Sequence, residues 1–199
     1  MRYRYLTIER EYGSGGTEIA KALSDALQIP CYGHEILELT CERLGISETK
    51  LEKYEETVTN SFLFSVFMMS SSAAGRTETV AGEGQIYLHE QAVIRDLAAK
   101  GPAIFIGHCA SEALRGMRGV ASVFIRADKS HKKARILTDY GIDEKAVEST
   151  RKYYDKKRAN YYYANTARRW DDLSGYDLVL DSGTLGTAGC VAALTGLMK

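Results

Sequence analysis

The sequence predicts an α/β protein built on a doubly wound parallel sheet of five strands. Short, continuous runs of apolar residues are typical of strands that are buried on both faces of such a sheet. Helical patterns separate these runs, and this alternation favours a parallel sheet covered by helices. The predicted strands run from about residue 4 to a glycine-rich turn, and over 29–32, 103–107, 120–125 and 176–180. Ligands of such sheets bind at the carboxyl ends of the strands.

The helices are predicted from apolar residues that recur at intervals of three and four. After the glycine-rich turn, one helical face carries Ile19, Ala22, Leu23, Ala26 and Leu27. Further helical patterns cover 35–44, 85–99, 109–114 and about 187–198. Asp128 is an N-cap residue that predicts another helix directly after the fourth strand.

The stretch between the patterns at 35–44 and 85–99 is less regular. Ser47 is a candidate N-cap for a helix that starts at Glu48. Residues 61–74 are rich in phenylalanine and methionine in their first half, which predicts a core helix and would also suit an adaptable pocket wall. Residues 76–84 are polar and flanked by glycine, and we predict an exposed loop there.

The composition describes one ordinary α/β domain. The 199 residues are 45% hydrophobic and 26% charged, and a formal net charge of zero argues against a dedicated nucleic-acid-binding protein. No run of about 18 apolar residues could span a membrane, and the first residues lack the apolar core of a secretory signal. The four cysteines show no C-x-x-C spacing, and the four histidines show no metal-ligand pattern. We therefore expect a cytoplasmic protein with reduced thiols.

The glycine-rich turn after the first strand is the strongest candidate site. Gly13, Gly15 and Gly16 stand within four residues, directly before the first helix. Glycines let the backbone approach an anion closely, and the first helical N–H groups and the helix dipole point toward it. Thr17 stands where its hydroxyl could reach a magnesium ion. The turn therefore predicts a phosphate site; the alternative is a plain strand-to-helix turn in which glycine only supplies a positive φ.

The turn matches the phosphate-loop pattern G-x-x-x-x-G-K-[ST] at two of its four fixed positions. Gly15 and Thr17 match, whereas Arg10 stands in place of the first glycine and Gly16 in place of the lysine. The dinucleotide-binding fingerprint fits less well, because Glu18 stands where that pattern requires glycine or alanine. The phosphate-site interpretation therefore depends on backbone and helix dipole, without the usual lysine.

Residues 126–169 are strongly basic in an otherwise balanced chain, with thirteen lysines and arginines against six acidic residues. A solvated helix face accounts for most of them. Arg151, Asp155 and Arg158 differ, because their i, i+4, i+7 spacing places them on one face, where the carboxylate can hold both guanidiniums. Oriented arginines suit phosphoryl transfer, since its transition state spreads negative charge over several oxygens.

Taken in their order along the chain, these features resemble the cytidylate kinase-like branch of the nucleoside monophosphate kinases. The resemblance is carried by the segments Arg10-Glu11-Tyr12-Gly13-Ser14-Gly15-Gly16, Pro30-Cys31-Tyr32, Gly107-His108-Cys109-Ala110, Phe124-Ile125-Arg126-Ala127 with Arg135 after it, Asp155-Lys156-Lys157-Arg158-Ala159-Asn160-Tyr161-Tyr162, Trp170, and Tyr176-Asp177-Leu178-Val179-Leu180.

The resemblance implies a three-layer α/β/α sandwich of the P-loop kinase type. Such a protein would transfer the γ-phosphoryl group of ATP, with Mg²⁺, to a nucleoside monophosphate, CMP or dCMP. A helical insertion over about 47–84 would bind the monophosphate, and a basic lid would span about 141–169. The residues implied to bind the donor phosphates are Arg10, Gly13, Ser14, Gly15, Gly16 and Thr17, of which Thr17 would also face magnesium. Arg151, Asp155 and Arg158 would act from the lid, and His108 would contact the acceptor.

Two places depart from the pattern of cytidylate kinases. Those enzymes carry lysine where this chain has Gly16, although glycine looks typical of the kinase-like branch. They also carry Gly-Arg-Asp where this chain has Gly107-His108-Cys109, so an acceptor-binding arginine and a carboxylate are missing. A neutral imidazole at His108 could donate one hydrogen bond to phosphate; the alternative is a buried histidine satisfied by backbone. Arg10 or a residue of the basic segment would have to supply the missing positive charge.

The sequence is compatible with three functions. The first is a nucleoside monophosphate kinase whose partner is a small nucleotide. The second is a nucleotide-binding or regulatory protein that keeps the fold and lacks the chemistry, which Gly16, His108 and Cys109 favour. The third is a kinase for another small acceptor, which His108 and the Phe/Met-rich stretch over 62–69 favour. No sequence feature indicates an oligomeric state.

Overall fold

A five-stranded parallel sheet organises the molecule, as predicted. The computed structural model describes residues 3–47 and 77–198. The strands are β1 (Tyr5–Arg10), β2 (Cys31–Tyr32), β3 (Ala103–Ile106), β4 (Val120–Arg126) and β5 (Leu178–Asp181), in the order β2-β3-β1-β4-β5. β1 is central, because Ile8 lies opposite both Ile106 of β3 and Val123 of β4.

Helices cover both faces of this sheet and complete three layers. Within the described residues the helices are α1 (Gly16–Leu27), α2 (His34–Leu44), α3 (Thr77–Ala99), α4 (Ala110–Ala113), α5 (Lys129–Thr138), α6 (Val147–Thr166) and α7 (Ser182–Met198). Short 3₁₀ turns lie at Glu144–Ala146 and Leu173–Gly175. The three-layer α/β/α architecture is confirmed.

The two faces of β1 contribute side chains to two different hydrophobic clusters, which explains the continuous apolar run of this strand. Leu6 and Ile8 face a cluster that includes Leu23 of α1 and Leu194 of α7. Tyr5 points to the opposite face, into a cluster with residues of α2, α3, β3 and α4, including Ile36, Ile94, Phe105 and Ala113. Side chains alternate across a strand, so a strand with helices on both faces needs apolar residues at successive positions.

A third cluster attaches α6 to the sheet. Tyr162 of α6 and Trp170, which follows this helix, are buried with Phe124 of β4. The rings of Phe124 and Trp170 meet edge to face with centroids 5.1 Å apart. Because these large aromatic residues bury considerable apolar area, they hold the basic helix close to the strand ends.

The predicted exposed loop over 76–84 is wrong where the structure describes it, because the backbone of α3 is already helical from Thr77. A glycine inside a helix costs only about 1 kcal/mol relative to alanine. The helical turns after Gly84 can offset this cost, so the helix continues through Gly82 and Gly84. The candidate N-cap at Ser47 belongs to a helix that would lie outside the described residues, as does the Phe/Met-rich stretch over 61–74.

The C-terminal helix begins earlier than predicted. α7 starts at Ser182, directly after β5, and is interrupted at Gly186, whose φ of 65° and ψ of 172° are not helical. The predicted start near residue 187 therefore corresponds to the part of α7 that follows this kink. The N-cap prediction for α5 is confirmed, because Asp128 accepts hydrogen bonds from the backbone N–H groups of Ser130 (2.8 Å) and His131 (3.0 Å).

Candidate functional site

The glycine-rich turn joins the end of β1 to the start of α1 at the carboxyl edge of the sheet. Gly13 and Gly15 adopt positive φ angles of 81° and 74°, which side chains other than glycine rarely tolerate. No side chain of the described residues caps α1, whose N-cap residue is Gly15. The first N–H groups of a helix have no partner within the helix. The turn therefore presents uncapped donors and the positive end of a helix dipole, which suits a phosphate group.

Two buried hydroxyls hold the shape of this turn. The Ser14 hydroxyl donates to the carbonyl of Glu11 at 2.8 Å, and the Ser182 hydroxyl lies 2.5 Å from the carbonyl oxygen of Ser14. The Ser14 side chain is therefore engaged within the turn and lines neither of the two cavities described next. Of the predicted phosphate-binding residues, Ser14 could take part only through its backbone.

Two adjoining cavities open at the ends of the strands. The turn cavity, about 290 Å³, is lined by the glycine-rich turn together with Glu18 and Tyr140. The strand-end cavity, about 390 Å³, lies toward β3 and α2 and is lined by residues that include Glu9, Leu37 and His108. Both cavities are lined by Arg10, Thr17 and Arg158. The structure therefore brings three of the predicted site residues to the boundary between two cavities.

Arg10 is a partly buried cation at this boundary. Its Nε atom is buried and has no hydrogen-bond partner among the described residues. Burial, and after it the positive charge of Arg158, lower the pKa of Arg10 to about 10. A buried charge is costly unless it is paired. The pair of guanidiniums therefore makes this boundary suitable for an anion.

Arg158 reaches the same place from α6. Its Nη1 atom donates to the carbonyl oxygen of Arg10 at 3.0 Å, and its guanidinium lies over the ring of Tyr12 at 5.8 Å from the centroid. Burial lowers the pKa of Arg158, while the negative charge of Asp155 opposes this shift. Arginine side chains remain protonated in folded proteins, so this guanidinium is a second cation at the boundary.

The predicted cluster on α6 is confirmed only in part. Arg151 donates from Nη1 to Asp155 at 3.1 Å, as expected for residues one turn apart. Asp155 uses its other oxygen to accept the backbone N–H of Tyr12 at 2.7 Å, and Arg158 bonds to the Arg10 carbonyl instead. The prediction that one carboxylate holds both guanidiniums is therefore wrong for Arg158. Arg151 also donates to Glu148 and lines neither cavity.

His108 lies in the strand-end cavity with an unusual backbone. It follows Gly107 at the end of β3 with a φ of 54°, and its carbonyl accepts a hydrogen bond from Gln91 at 3.2 Å. Its Nδ1 atom lies 3.9 Å from Oε1 of Glu90, beyond hydrogen-bond distance. Burial, and after it the positive charge of Arg10, lower the pKa of His108 to about 3. The imidazole is therefore neutral at pH 7 and keeps one N–H donor.

The structure adds several residues that the sequence did not single out. Glu9 is buried beside Arg10, burial raises its pKa, and it accepts a hydrogen bond from Trp170 Nε1 at 3.2 Å. Tyr12 stacks on Tyr154 with ring centroids 4.6 Å apart and meets Tyr140 edge to face at 5.3 Å. The signal for Glu9 was its position at the end of the first strand, where ligands of such sheets bind.

Arg135 is a further residue at the turn. Its guanidinium occupies the space that a Cβ atom at Gly15 would need, and its Nε atom lies 3.4 Å from Asp139. A side chain at position 15 would be strained by the positive φ and would displace this guanidinium. In the sequence, Arg135 was marked only by the family resemblance, in which it follows Phe124-Ile125-Arg126-Ala127, and no site role was predicted for it.

The described residues hold no group of three or more histidine, cysteine, aspartate or glutamate side chains arranged to bind a metal ion. A magnesium ion that accompanies a triphosphate is usually held by phosphate oxygens, water and only one or two protein ligands. Thr17, at the boundary of the two cavities, fits that limited role. In the part of the chain that the structure covers, no helix is both long and apolar enough to cross a membrane.

Comparison with known proteins places the chain in a family. The model of the cytidylate kinase-like family matches residues 5–184. No curated protein sequence shows a significant match to the chain.

Solved structures show the same fold. An uncharacterized protein from Eubacterium ventriosum is 24% identical, with a TM-score of 0.70 over 98% of this chain and 97% of that one. Shikimate kinase from Bacteroides thetaiotaomicron is 14% identical, with a TM-score of 0.53 over 98% and 97%. A protein from Thermus thermophilus is 13% identical, with a TM-score of 0.54 over 100% and 97%. The fold is that of the P-loop kinases, and the chain belongs to the cytidylate kinase-like family.

Proposed function

We propose that the protein is an ATP-dependent phosphotransferase whose acceptor is a nucleoside monophosphate, CMP or dCMP by likeness to the family. The observation that carries this proposal is the pair of cavities that meet at Arg10, Thr17 and Arg158. A phosphoryl transfer needs a donor and an acceptor on either side of one reacting phosphorus atom. Two cavities with a shared cationic boundary fit that requirement.

In this arrangement the turn cavity takes the triphosphate. Backbone N–H groups at the start of α1 would donate to its β- and γ-phosphates, and the Thr17 hydroxyl would help to hold Mg²⁺. The ion would supply charge neutralisation for the phosphate oxygens. The predicted site residues Gly13, Gly15 and Gly16 would contribute only backbone, because any side chain there would obstruct the cavity or the turn.

The strand-end cavity takes the acceptor. An oxygen of the acceptor monophosphate would attack the γ-phosphorus, the bond from that phosphorus to the β–γ bridging oxygen would break, and ADP would leave. Arg10 and Arg158 would stabilise the charge on the transferred group from the boundary. The neutral His108 would donate one hydrogen bond to the acceptor, and Arg151 would act indirectly by holding Asp155.

The basic segment over about 141–169 would act as a lid, and the segment over about 47–84 would complete the acceptor site. Support for the lid comes from α6, which contacts the glycine-rich turn through Asp155, Arg158 and Tyr154. These contacts with the turn are polar or aromatic, and they would have to break for this part of the helix to open and admit a ligand.

The proposal is tested with the full chain, ATP, Mg²⁺ and each of CMP, dCMP, UMP, AMP and GMP, with separation of the diphosphate products. We expect one or two monophosphates to be phosphorylated and the others to react weakly. In parallel, the thermal midpoint should rise with ATP and rise further with a dinucleotide in which five phosphates join two nucleosides, since that ligand would fill both cavities. Absence of turnover with every acceptor would refute the proposal.

A second function is a nucleotide-binding protein without turnover. Gly16 favours it, because no lysine follows the transferred phosphoryl group, and so does the neutral His108 in place of an arginine. Calorimetry distinguishes the two functions: binding of ATP together with no product from any of the five acceptors would support the second.

A further inference from the structure

The two mismatches of the turn with the phosphate-loop pattern form a reciprocal pair. The pattern has glycine at the position of Arg10 and lysine at the position of Gly16. This chain has the large cation at the first position and the glycine at the second. The standard phosphate loop and the turn of this chain thus each contain one long basic side chain and one glycine at these two positions, but in exchanged places.

The structure shows why the two positions depend on each other. A Cβ atom at Gly16 would lie 2.5 Å from Cβ and 2.8 Å from Cγ of Arg10, well inside van der Waals contact. Gly16 itself opens α1 and has no positive φ, so its backbone would accept any residue. The obstacle to a side chain at 16 is therefore the stem of Arg10. Only one of these two positions can carry a long side chain.

The stem of Arg10 directs its guanidinium toward the end of β3. A Cβ atom at Gly107 would lie 2.6 Å from Nη1 of Arg10, so a second glycine makes room for this group. Arg10 lines both cavities, and within residues 3–47 and 77–198 its buried Nε atom has no hydrogen-bond partner. A partly buried arginine that has a buried N–H without a partner and lies next to a second arginine is suited to an anion that arrives from outside the protein.

We propose that Arg10 is the cation that this chain uses in place of the phosphate-loop lysine, and that Gly16 is glycine in order to leave room for it. The inference rests on the proposed phosphotransferase function and assigns one catalytic residue within it. Arg10 would contact the β- and γ-phosphates from the end of β1, whereas the usual lysine reaches them from the start of the helix.

The test is a double-mutant cycle in the full chain, with Arg10→Gly, Gly16→Lys and the combination of both. Arg10→Met removes the charge while keeping an apolar stem, and Arg126→Gln is the matched control. Arg126 ends the neighbouring strand β4, is bonded to Asp181 and lines neither cavity. Calorimetry with inorganic tripolyphosphate and with ATP gives Kd, and thermal unfolding without ligand gives the midpoint.

We expect Arg10→Met to weaken tripolyphosphate binding roughly 10- to 100-fold, as loss of a charged hydrogen-bond donor does, and Arg126→Gln to leave it unchanged. Gly16→Lys alone should lower the thermal midpoint on the order of 5 °C through overpacking against Arg10. In the double variant the clash disappears and a lysine returns. Its midpoint should therefore exceed that of Gly16→Lys, and its Kd should be at least tenfold lower than that of Arg10→Gly.

Two results would overturn the inference. One is binding of tripolyphosphate by Arg10→Met as tight as by the natural chain. The other is a double variant that binds no better than Arg10→Gly. If the natural chain binds tripolyphosphate and the cycle behaves as expected while no acceptor is phosphorylated, the proposed function fails and the assignment of Arg10 as the phosphate-binding cation stands. If the natural chain binds no triphosphate, both fail.

Discussion

Arg158 connects α6 to the end of β1 through one side chain. It donates to the carbonyl of Arg10 and lines both cavities, so its removal should affect transfer more than stability. We predict that Arg158→Gln lowers kcat on the order of 10³-fold, the lower end of the range for loss of an arginine that stabilises a phosphoryl transition state. Steady-state kinetics with the best acceptor measure this effect.

The control for Arg158 is Arg168→Gln. Arg168 follows α6, is exposed, and bonds to Glu112 at 3.2 Å, outside both cavities. It should change kcat less than twofold. Retention of activity within tenfold in Arg158→Gln would show that this arginine does not contact the transferred group.

His108 should make the stability of the fold depend on pH. Its pKa is about 3 in the folded chain, against an ordinary value of 6.5. Between these values the unfolded chain binds a proton at this residue and the folded chain does not, so stability falls as pH falls from 6.5 toward 3. The slope from one such group approaches about 1.4 kcal/mol per pH unit.

Replacing His108 tests this dependence. Asparagine tolerates the positive φ of this position, so His108→Asn should fold. We predict that the free energy of unfolding, measured in urea, falls less steeply in this variant than in the natural chain as the pH is lowered from 6.5 to 4. All other titrating groups are the same in both proteins, so the difference in slope reports on His108. Parallel curves would mean that His108 is protonated in the folded protein.

At the scale of elements, one carboxylate fastens α6 to the glycine-rich turn. Asp155 accepts from the backbone of Tyr12 at 2.7 Å and from Arg151 at 3.1 Å. Burial raises the pKa of Asp155, and the Tyr12 hydrogen bond opposes that shift. The bond therefore favours the charged carboxylate, in which both oxygens accept.

We predict that Asp155→Asn lowers the free energy of unfolding by about 1.5–3 kcal/mol, the usual range for hydrogen bonds to a charged group. It should also accelerate hydrogen exchange at the amide of Tyr12, because the contact of α6 with the turn weakens. Glu148→Gln is the matched control: Glu148 is the exposed partner of the same Arg151 and does not reach the turn. Unchanged exchange at Tyr12 in Asp155→Asn would contradict this role.

At the scale of the whole molecule, Ser182 connects segments that are far apart in the chain. Its buried hydroxyl lies between the carbonyl oxygens of Ser14 (2.5 Å) and Arg126 (3.1 Å). A hydroxyl has a single proton to donate, so it bonds one carbonyl at a time while it fills the space between the turn and the end of β4. The carboxyl edge of the sheet is thereby fixed from β1 to α7.

Ser182→Ala should lower the free energy of unfolding by about 1–3 kcal/mol, because a buried carbonyl loses its partner. It should also weaken tripolyphosphate binding several-fold, since the turn loses its attachment. Ser149→Ala removes an exposed hydroxyl that bonds to the carbonyl of Ala146 and should change neither quantity. Urea unfolding and calorimetry measure both; wild-type binding in Ser182→Ala would show that Ser182 is not needed to hold the turn.

The sequence by itself determined the features that depend on neighbours in the chain. Continuous apolar runs and helical repeats predicted the five strands and most helices, because burial on one or two faces imposes a period on the sequence. The glycines of the turn, the cap at Asp128 and the pairing of Arg151 with Asp155 are also local. The loop predicted over 76–84 failed because local composition is a weak guide where an adjoining helix can extend.

Only the tertiary structure decided which distant groups meet. Asp155 and Tyr12 are 143 residues apart, and Ser182 and Ser14 are 168 residues apart, so their contacts depend on the strand order β2-β3-β1-β4-β5, which no local pattern specifies. The neutral state of His108 depends on burial in the same way. The exchange of the basic residue and the glycine between positions 10 and 16 was visible in the sequence as two mismatches with the phosphate-loop pattern. Its physical cause is seen only in the folded protein, where a Cβ atom at position 16 would lie too close to the side chain of Arg10.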